Sequence, residues 1–217
     1  MSKEWKGNSA SWKSMLGINK RCTNDTREAG DYYTTAAAAA VEQFIQHYHS
    51  KFRLFGGGFN FKIWEPACGC GNISEVLIDH GYSVISTDMY DRGYGESGVD
   101  FLATTKMPAN CDTIITNPPY SLSNEFILHA MDILPLYGRY FALLNISYLT
   151  GNIRFRDIYS KGYLKAIHIY PHRINCYKNN IDTGKSSPVN YAWFEFRKLP
   201  IEDLLKIYPP EIYWIEK

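Results

Sequence analysis

The sequence predicts an α/β domain in which one mostly parallel β-sheet is covered by helices on both faces. From residue 61 onward, short runs rich in β-branched and aromatic residues alternate with segments whose apolar residues recur at helical spacing. The chain has 217 residues, enough for one domain with a proper core and too few for two domains of ordinary size. We therefore expect a single domain.

The predicted strands are short apolar runs that glycine, asparagine or charged residues interrupt. They are residues 61–64, 83–87, 112–116, 140–146, 166–170 and 191–196. Two helices, at 73–80 and 124–134, are predicted between them from apolar residues at helical spacing. A further helix is predicted from near Thr34 through the alanines 36–40 to residue 45, with a threonine cap at its start and the glycines 56–58 beyond its end.

The amino-terminal end differs in character from the rest of the chain. Residues 1–30 mix Ser, Asn, Lys and Gly with the isolated Trp5 and Trp12, and show no sustained period. We expect a loosely ordered arm there and a single domain over residues 31–217.

Charge is segregated along the chain although the formal net charge is only +1. Basic residues exceed acidic ones by 6 to 3 over residues 1–30 and by 7 to 2 over 151–190, whereas acidic residues lead by 12 to 6 over 31–150. A polyanionic partner is therefore expected at the basic flanks. The basic segment 151–190 is the candidate substrate-binding region, with Arg154, Arg156, Arg173 and Lys178 as candidate phosphate contacts.

Several classes of protein are disfavoured by composition. No apolar stretch approaches the roughly 20 residues of a membrane span, and no signal-peptide core follows the polar start, so a cytoplasmic protein is expected. The five cysteines are an odd number without metal-ligand spacing, which predicts reduced thiols and no metal site.

A glycine turn follows the first predicted strand of the sheet. Gly69 and Gly71 would let the backbone approach a ligand closely at the carboxyl edge of a parallel sheet. Ser74 stands where a dinucleotide fingerprint has its third glycine, which disfavours a pyrophosphate-bearing cofactor. Glu65, four residues before Gly69, instead puts a carboxylate where a cationic group of a ligand could lie.

Acidic residues end the following segments. Asp88 ends a predicted strand, where a carboxylate can accept hydrogen bonds from both hydroxyls of a ribose. Asp100 and Phe101 could bond an adenine amino group and cover its face. One nucleoside could touch all of these strand ends.

The tetrapeptide Asn117-Pro118-Pro119-Tyr120 follows the apolar run 113–116. It would place a carboxamide, an acceptor carbonyl and an aromatic ring in one cleft, stiffened by the second proline. Those groups can hold an exocyclic nitrogen and stack on its ring.

Together these motifs resemble the S-adenosylmethionine-dependent methyltransferases that modify amino nitrogens, and most closely the small DNA adenine-N6 methyltransferases of phages and prophages. The resemblance covers roughly residues 7–197. It is carried by residues 7–10, 31–35, 65–71, 87–88, 98–102, 115–120 and 191–194.

The resemblance implies a Rossmann-like methyltransferase fold with one antiparallel late strand. It implies S-adenosylmethionine as cofactor, and it implies a flipped-out adenine in DNA as the methyl acceptor. The implied cofactor contacts are Tyr33, Thr34, Glu65, Pro66, Gly69, Gly71, Asp88, Asp100, Phe101 and Asn117, and the implied catalytic residues are Asn117, Pro118, Pro119 and Tyr120. In the family, the segment matching 31–35 is a lid that a proline commonly follows, whereas Ala36 and Ala37 stand here in the acidic and proline positions.

Three alternatives remain open from the sequence. A similar turn serves methyltransferases that act on RNA adenine or on protein glutamine. Glutamine methyltransferases normally carry a helical domain ahead of the glycine turn, whereas only about 60 residues with one predicted helix precede it here. A DNA-binding protein that keeps the fold without turnover is the third. No segment is large enough for a separate recognition domain, so relaxed sequence specificity or help from self-association as a homodimer is expected.

Overall fold

The computed structural model describes residues 33–35, 38–52, 62–174, 176–178, 189–204 and 209–216. The arm predicted for residues 1–30 lies outside the described residues. The strands are β1 (Tyr33–Thr35), β2 (Lys62–Glu65), β3 (Ser83–Asp88), β4 (Glu96–Ser97), β5 (Cys111–Thr116), β6 (Arg139–Asn145), β7 (Leu164–Ile169), β8 (Cys176–Lys178), β9 (Tyr191–Arg197) and β10 (Glu211–Trp214).

The α-helices are α1 (Ala38–Phe52), α2 (Asn72–Asp79), α3 (Ser123–Ile133), α4 (Asn152–Arg154) and α5 (Ile201–Leu204). Short 3-10 turns at Phe101–Ala103, Tyr120–Leu122 and Ile146–Leu149 follow three of the strand regions, and a π-helical turn at Phe155–Tyr159 continues α4.

Among the described residues, eight strands form one sheet in the order β10-β7-β9-β6-β5-β2-β3-β4. Neighbouring strands are parallel except where β9 lies between β6 and β7 and runs antiparallel to both. This confirms the predicted fold, including its antiparallel late strand. The remaining two strands, β1 and β8, form a separate antiparallel pair in which Tyr33 lies opposite Lys178.

Helices cover both faces of the sheet, as predicted. One core cluster joins α1 and α2 to the sheet through residues such as Phe44, Leu77 and Phe141. The other joins α3 to the opposite face through Ile127 and Tyr140. Side chains of consecutive strand residues point to opposite faces, so both layers are built on the same buried strands.

The first helix begins later than the sequence predicts. Thr34 belongs to β1 and pairs with Tyr177, and α1 begins only at Ala38. The high helix propensity of alanine therefore takes effect after the strand, because the pairing of β1 with a segment about 140 positions later outweighs local preference.

Cysteine chemistry differs in part from the prediction. Cys68 and Cys111 are buried free thiols, but Cys70 is disulfide-bonded. The expectation that all thiols are reduced is therefore wrong at Cys70. Within the described ranges, no helix is long and apolar enough to cross a membrane, and no group of three or more His, Cys, Asp or Glu side chains could hold a metal ion.

Candidate active site

The polar residues predicted to form the site end neighbouring parallel strands. Glu65 ends β2, Asp88 ends β3, and Asn117 directly follows β5, which lies beside β2 in the sheet. Because parallel strands end at the same edge, the order β5-β2-β3 brings these three positions to one edge of the sheet. Sequence order alone does not reveal that adjacency.

The glycine turn is fastened to the end of β3. The backbone nitrogen of Cys68 donates to the carbonyl of Thr87 at 3.0 Å, and that of Gly69 donates to Oδ2 of Asp88 at 2.8 Å. The Cys68 thiol also donates to the carbonyl of Tyr94 at 3.7 Å. Asp88 therefore positions the turn in addition to its predicted role toward a ribose.

Gly71 is required for an internal contact that the sequence does not reveal. Its φ of +86° lies in the left-handed region, and a Cβ built there would be 2.5 Å from the ring of Tyr94. The Tyr94 ring is 8% exposed and lies directly against this turn. Gly71 thus accommodates an aromatic side chain of the same protein, and its predicted contact with a cofactor stays a prediction.

Glu65 is 1% exposed. The Ser74 hydroxyl donates to its Oε2, and the hydroxyls of Ser74 and Ser86 are 2.6 Å apart. Burial raises the pKa of Glu65 well above its ordinary value, although the bonds from Ser74 oppose the shift. In this structure Glu65 faces the two serines, and its contact with a cationic ligand group stays a prediction.

Asp100 is joined to the end of β3 through the backbone. The nitrogen of Val99 donates to the Asp88 carbonyl at 3.1 Å, which brings Asp100 beside that strand end. Oδ1 of Asp100 accepts from the nitrogen of Leu102 at 3.0 Å and caps the short 3-10 turn. The carboxylate remains exposed, so its second oxygen is accessible for the adenine amino group that the sequence suggests.

Phe101 is only 2% exposed and belongs to the core. Its ring centroid lies 5.2 Å from that of Trp64, 4.7 Å from Phe126 and 4.9 Å from His129. Packing against three rings explains why an aromatic residue stands here. A role of Phe101 in covering an adenine face stays a prediction.

The Asn-Pro-Pro-Tyr turn is held by the first residue of α3. The hydroxyl of Ser123 lies 3.3 Å from the carbonyl oxygen of Pro119 and 3.1 Å from that of Tyr120, and it donates to this pair. Ser123 is 1% exposed and the side-chain oxygen of Asn117 is buried. The turn is therefore a rigid element that precedes α3.

The ring of Tyr120 stacks on the ring of Tyr191 at the start of β9. Their centroids are 5.9 Å apart and their planes differ by 25°. Pro118, whose carbonyl is the acceptor carbonyl predicted for this turn beside the Asn117 carboxamide, is buried within the same turn. The antiparallel β9 thus supports the turn from the side of β6.

The predicted substrate residues lie in different surroundings. The guanidinium of Arg154 lies 4.5 Å from the ring centroid of Tyr148, and Arg156 forms an exposed ion pair with Asp157 at 2.7 Å. Arg173 is exposed, and Lys178 lies in β8 opposite Tyr33. The structure thus brings the predicted lid strand and one predicted phosphate contact together.

Three residues beside the candidate site were not predicted from the sequence. Tyr94 packs on the glycine turn, Ser123 holds the Asn-Pro-Pro-Tyr turn, and Met89 exposes 52% of its side chain directly after Asp88. An apolar side chain next to a strand-end aspartate is a signal that the sequence does contain. The other two depend on contacts that only the folded chain makes.

Solved structures of methyltransferases share this fold at low sequence identity. A Listeria monocytogenes protein described as a class I S-adenosylmethionine-dependent methyltransferase matches with a TM-score of 0.56 at 15% identity, over 88% of this chain and 67% of that one. A protein from Pyrococcus horikoshii described as an RNA methyltransferase matches with a TM-score of 0.57 at 15% identity, over 88% of this chain and 98% of that one.

A third similar structure is a type I restriction-modification system methyltransferase subunit from Streptococcus thermophilus. The TM-score is 0.53 at 16% identity, over 79% of this chain and 46% of that subunit, so the chain spans about half its length. No protein-family model matches the sequence, and no curated protein matches it. The chain has the Rossmann-like fold of class I methyltransferases, and its strand β9 lies antiparallel beside β6.

Proposed function

We propose that this protein transfers a methyl group from S-adenosylmethionine to the N6 amino group of an adenine in DNA. The observation that carries the proposal is the rigid Asn117–Tyr120 turn at the end of β5, beside the strands that bear the glycine turn and Asp88. The similarity in fold to methyltransferases supports the class of reaction. The choice of adenine in DNA rests on the sequence motifs.

The edge of the sheet offers groups that suit a nucleoside. Asp88 would accept from the ribose hydroxyls, Asp100 would accept from the adenine amino group, and the exposed Met89 would lie on an adenine face. The glycine turn would pass beside the methionine end, together with Tyr33 and Thr34 from β1, a strand that contacts α2. S-adenosylmethionine supplies an electrophilic methyl group on sulfur.

The catalytic turn would activate a weak nucleophile. The lone pair of adenine N6 is delocalised into the ring, and two acceptors, Oδ1 of Asn117 and the carbonyl of Pro118, would each bind one N6 hydrogen. These bonds favour a pyramidal nitrogen whose lone pair points at the methyl carbon, so the N–C bond forms as the S–C bond breaks. The attacking nitrogen becomes acidic only as it gains the methyl group, and the proton then leaves toward these acceptors.

The substrate assignment combines the turn with the basic segment. A base in a duplex is out of reach, so the adenine would be flipped out and stacked on Tyr120. Arg154, Arg156, Arg173 and Lys178 would contact phosphates. Adenine in RNA is the second candidate, favoured by the fold similarity to a protein described as an RNA methyltransferase. Self-association and an arm at residues 1–30 that orders on the substrate remain parts of this proposal.

A labelling experiment tests the proposal. The protein is incubated with tritiated S-adenosylmethionine and, separately, unmethylated phage DNA, tRNA and a cell protein extract. We expect label in DNA, recovered as N6-methyladenine after digestion. Label confined to RNA or protein would refute the DNA assignment, and its absence from all three would refute transfer.

Asn117→Ala tests the mechanism in the same assay. Transfer should fall by more than about a hundredfold because the loss of a positioned acceptor is costly in the transition state. Calorimetry should show cofactor binding largely retained. Gln46→Ala, which truncates an exposed amide on α1, is the matched control and should leave both measurements unchanged.

A further inference from the structure

We propose that Ile153 and Phe155 form an apolar wedge that enters the DNA duplex beside the flipped adenine. The inference rests on the proposed function and adds to it the element that opens the duplex. Both residues lie in the segment 146–159, here called the wedge segment, which begins at the end of β6. β6 is the neighbour of β5, so the wedge segment starts at the same edge as the catalytic turn.

Both side chains are largely exposed to solvent. Ile153 is 62% exposed and Phe155 is 64% exposed, and Leu149 nearby is 36% exposed. Ile153 and Phe155 are two positions apart in the helical stretch made by α4 and the π-helical turn, so their side chains point to different sides of it and each is a separate point of entry into the duplex. Both lie on a segment that starts at the same sheet edge as the candidate site.

The wedge segment is anchored rather than loose. The hydroxyl of Tyr148 donates to Oδ1 of Asn124 in the first turn of α3, and the hydroxyl of Tyr159 donates to the Tyr148 carbonyl at 2.5 Å. Arg154 covers the Tyr148 ring and donates through Nε to the Thr150 carbonyl at 2.8 Å. The segment that exposes the two apolar side chains is therefore fixed to the helix that follows the catalytic turn.

Charge around the wedge indicates a nucleic acid as its occupant. Over residues 151–174, five basic residues stand against the single acidic Asp157. Arg156 is paired with Asp157 at the surface, and an exposed pair of this kind contributes little, so a phosphate can replace the carboxylate at small cost. A duplex offers this combination, with apolar base faces inside and phosphates outside.

A wedge would offset part of the free-energy cost of base flipping. Extruding a base costs a few kcal/mol of stacking and pairing, and apolar side chains such as Phe and Ile are used between base steps to occupy the gap. A side chain in the gap would stabilise the opened duplex and have no effect on a base that is already unpaired. That difference separates a wedge from a general binding contact.

Phe155→Ala and Ile153→Ala test the inference on duplex DNA and on the same DNA after heat denaturation. We expect each variant to lower the methylation rate of duplex DNA by about tenfold, corresponding to about 1.4 kcal/mol, and to methylate denatured DNA at close to the wild-type rate. Leu136→Ala is the matched control, because Leu136 is 58% exposed but precedes β6 and so lies at the opposite edge of the sheet.

The possible results distinguish failure of the wedge from failure of the proposed function. Equal losses on duplex and denatured DNA, or rates equal to those of Leu136→Ala, would overturn the wedge while leaving the methyltransferase assignment intact. A wild-type protein that labels only RNA or protein would overturn the proposed function itself. The melting temperatures of Phe155→Ala and Ile153→Ala are measured as a control, and we expect them to equal that of the wild type because both positions are exposed.

Discussion

The ring of Tyr120 stacks on the ring of Tyr191 with centroids 5.9 Å apart. Tyr120 belongs to the Asn-Pro-Pro-Tyr turn and Tyr191 begins the antiparallel strand β9, so a motif residue is supported from 71 positions further along the chain. The contact links the orientation of the predicted base-stacking ring to β9, which runs antiparallel to both of its neighbours in the main sheet.

Tyr191→Leu should lower the methyl-transfer rate while the protein remains folded. An aromatic pair contributes about 0.5–1.5 kcal/mol beyond area burial, and its loss would leave Tyr120 less well oriented. We expect a reduced kcat with cofactor affinity unchanged, measured by single-turnover kinetics and calorimetry. Tyr191→Phe keeps the ring and is the control; equal defects in both variants would contradict a stacking role.

Gly71→Ala should destabilise the protein through the Tyr94 ring. The left-handed φ costs about 1 kcal/mol for a residue with a Cβ, and the overlap at 2.5 Å adds about 1–3 kcal/mol. Gly98→Ala is the control, since Gly98 has a φ of +77° and a Cβ added there would meet nothing within 4 Å. Chemical denaturation measures both, and similar losses in the two variants would rule out the clash.

Asp88→Ala should weaken cofactor binding by at least about tenfold. The carboxylate accepts from the nitrogens of Gly69 and Tyr90 at 2.8 and 2.9 Å, and hydrogen bonds to charged groups contribute about 1.5–3 kcal/mol each. Removing it releases the glycine turn and deletes the predicted ribose acceptor. Asp91→Ala removes a comparable local bond, to the Gly93 nitrogen, at an exposed position and should leave affinity unchanged in calorimetry.

Glu65 should make stability depend on pH in the direction opposite to a paired carboxylate. Burial raises its pKa in the folded state, so the folded protein holds this proton more tightly than the unfolded chain does. The contribution of Glu65 to stability is fully present below its unfolded pKa of about 4.3 and is lost as pH rises toward the folded pKa.

Glu65→Gln should therefore flatten the stability profile above about pH 4.3 and leave the free energy of unfolding at pH 7 equal to or greater than that of wild type. The amide can still accept from Ser74. Urea unfolding at a series of pH values measures the effect, with Glu125→Gln, at an exposed position in α3, as the control. An unchanged profile in Glu65→Gln would show that the buried carboxyl titrates at its ordinary value.

Local pattern was sufficient to predict most of the fold. The strands around residues 63, 85, 114, 142, 168 and 193 were predicted from β-branched and aromatic runs, and α2 and α3 from helical spacing. The short strands β1, β4, β8 and β10 were missed. They have two to four residues, too few for a period to emerge. β1, β8 and β10 pair with strands distant in sequence, and β4 pairs with the nearby β3.

The order of the motifs and the identity of their residues are local properties of the chain, and they were enough to indicate the class of fold and the candidate residues at the strand ends. Which of those residues meet depended on the strand order and on packing between distant segments. The fold turned Glu65 toward Ser74, placed Tyr94 against Gly71 and stacked Tyr120 on Tyr191. Such contacts join positions 9 to 71 residues apart. They form only when burial of the whole sheet offsets the entropy of bringing those segments together.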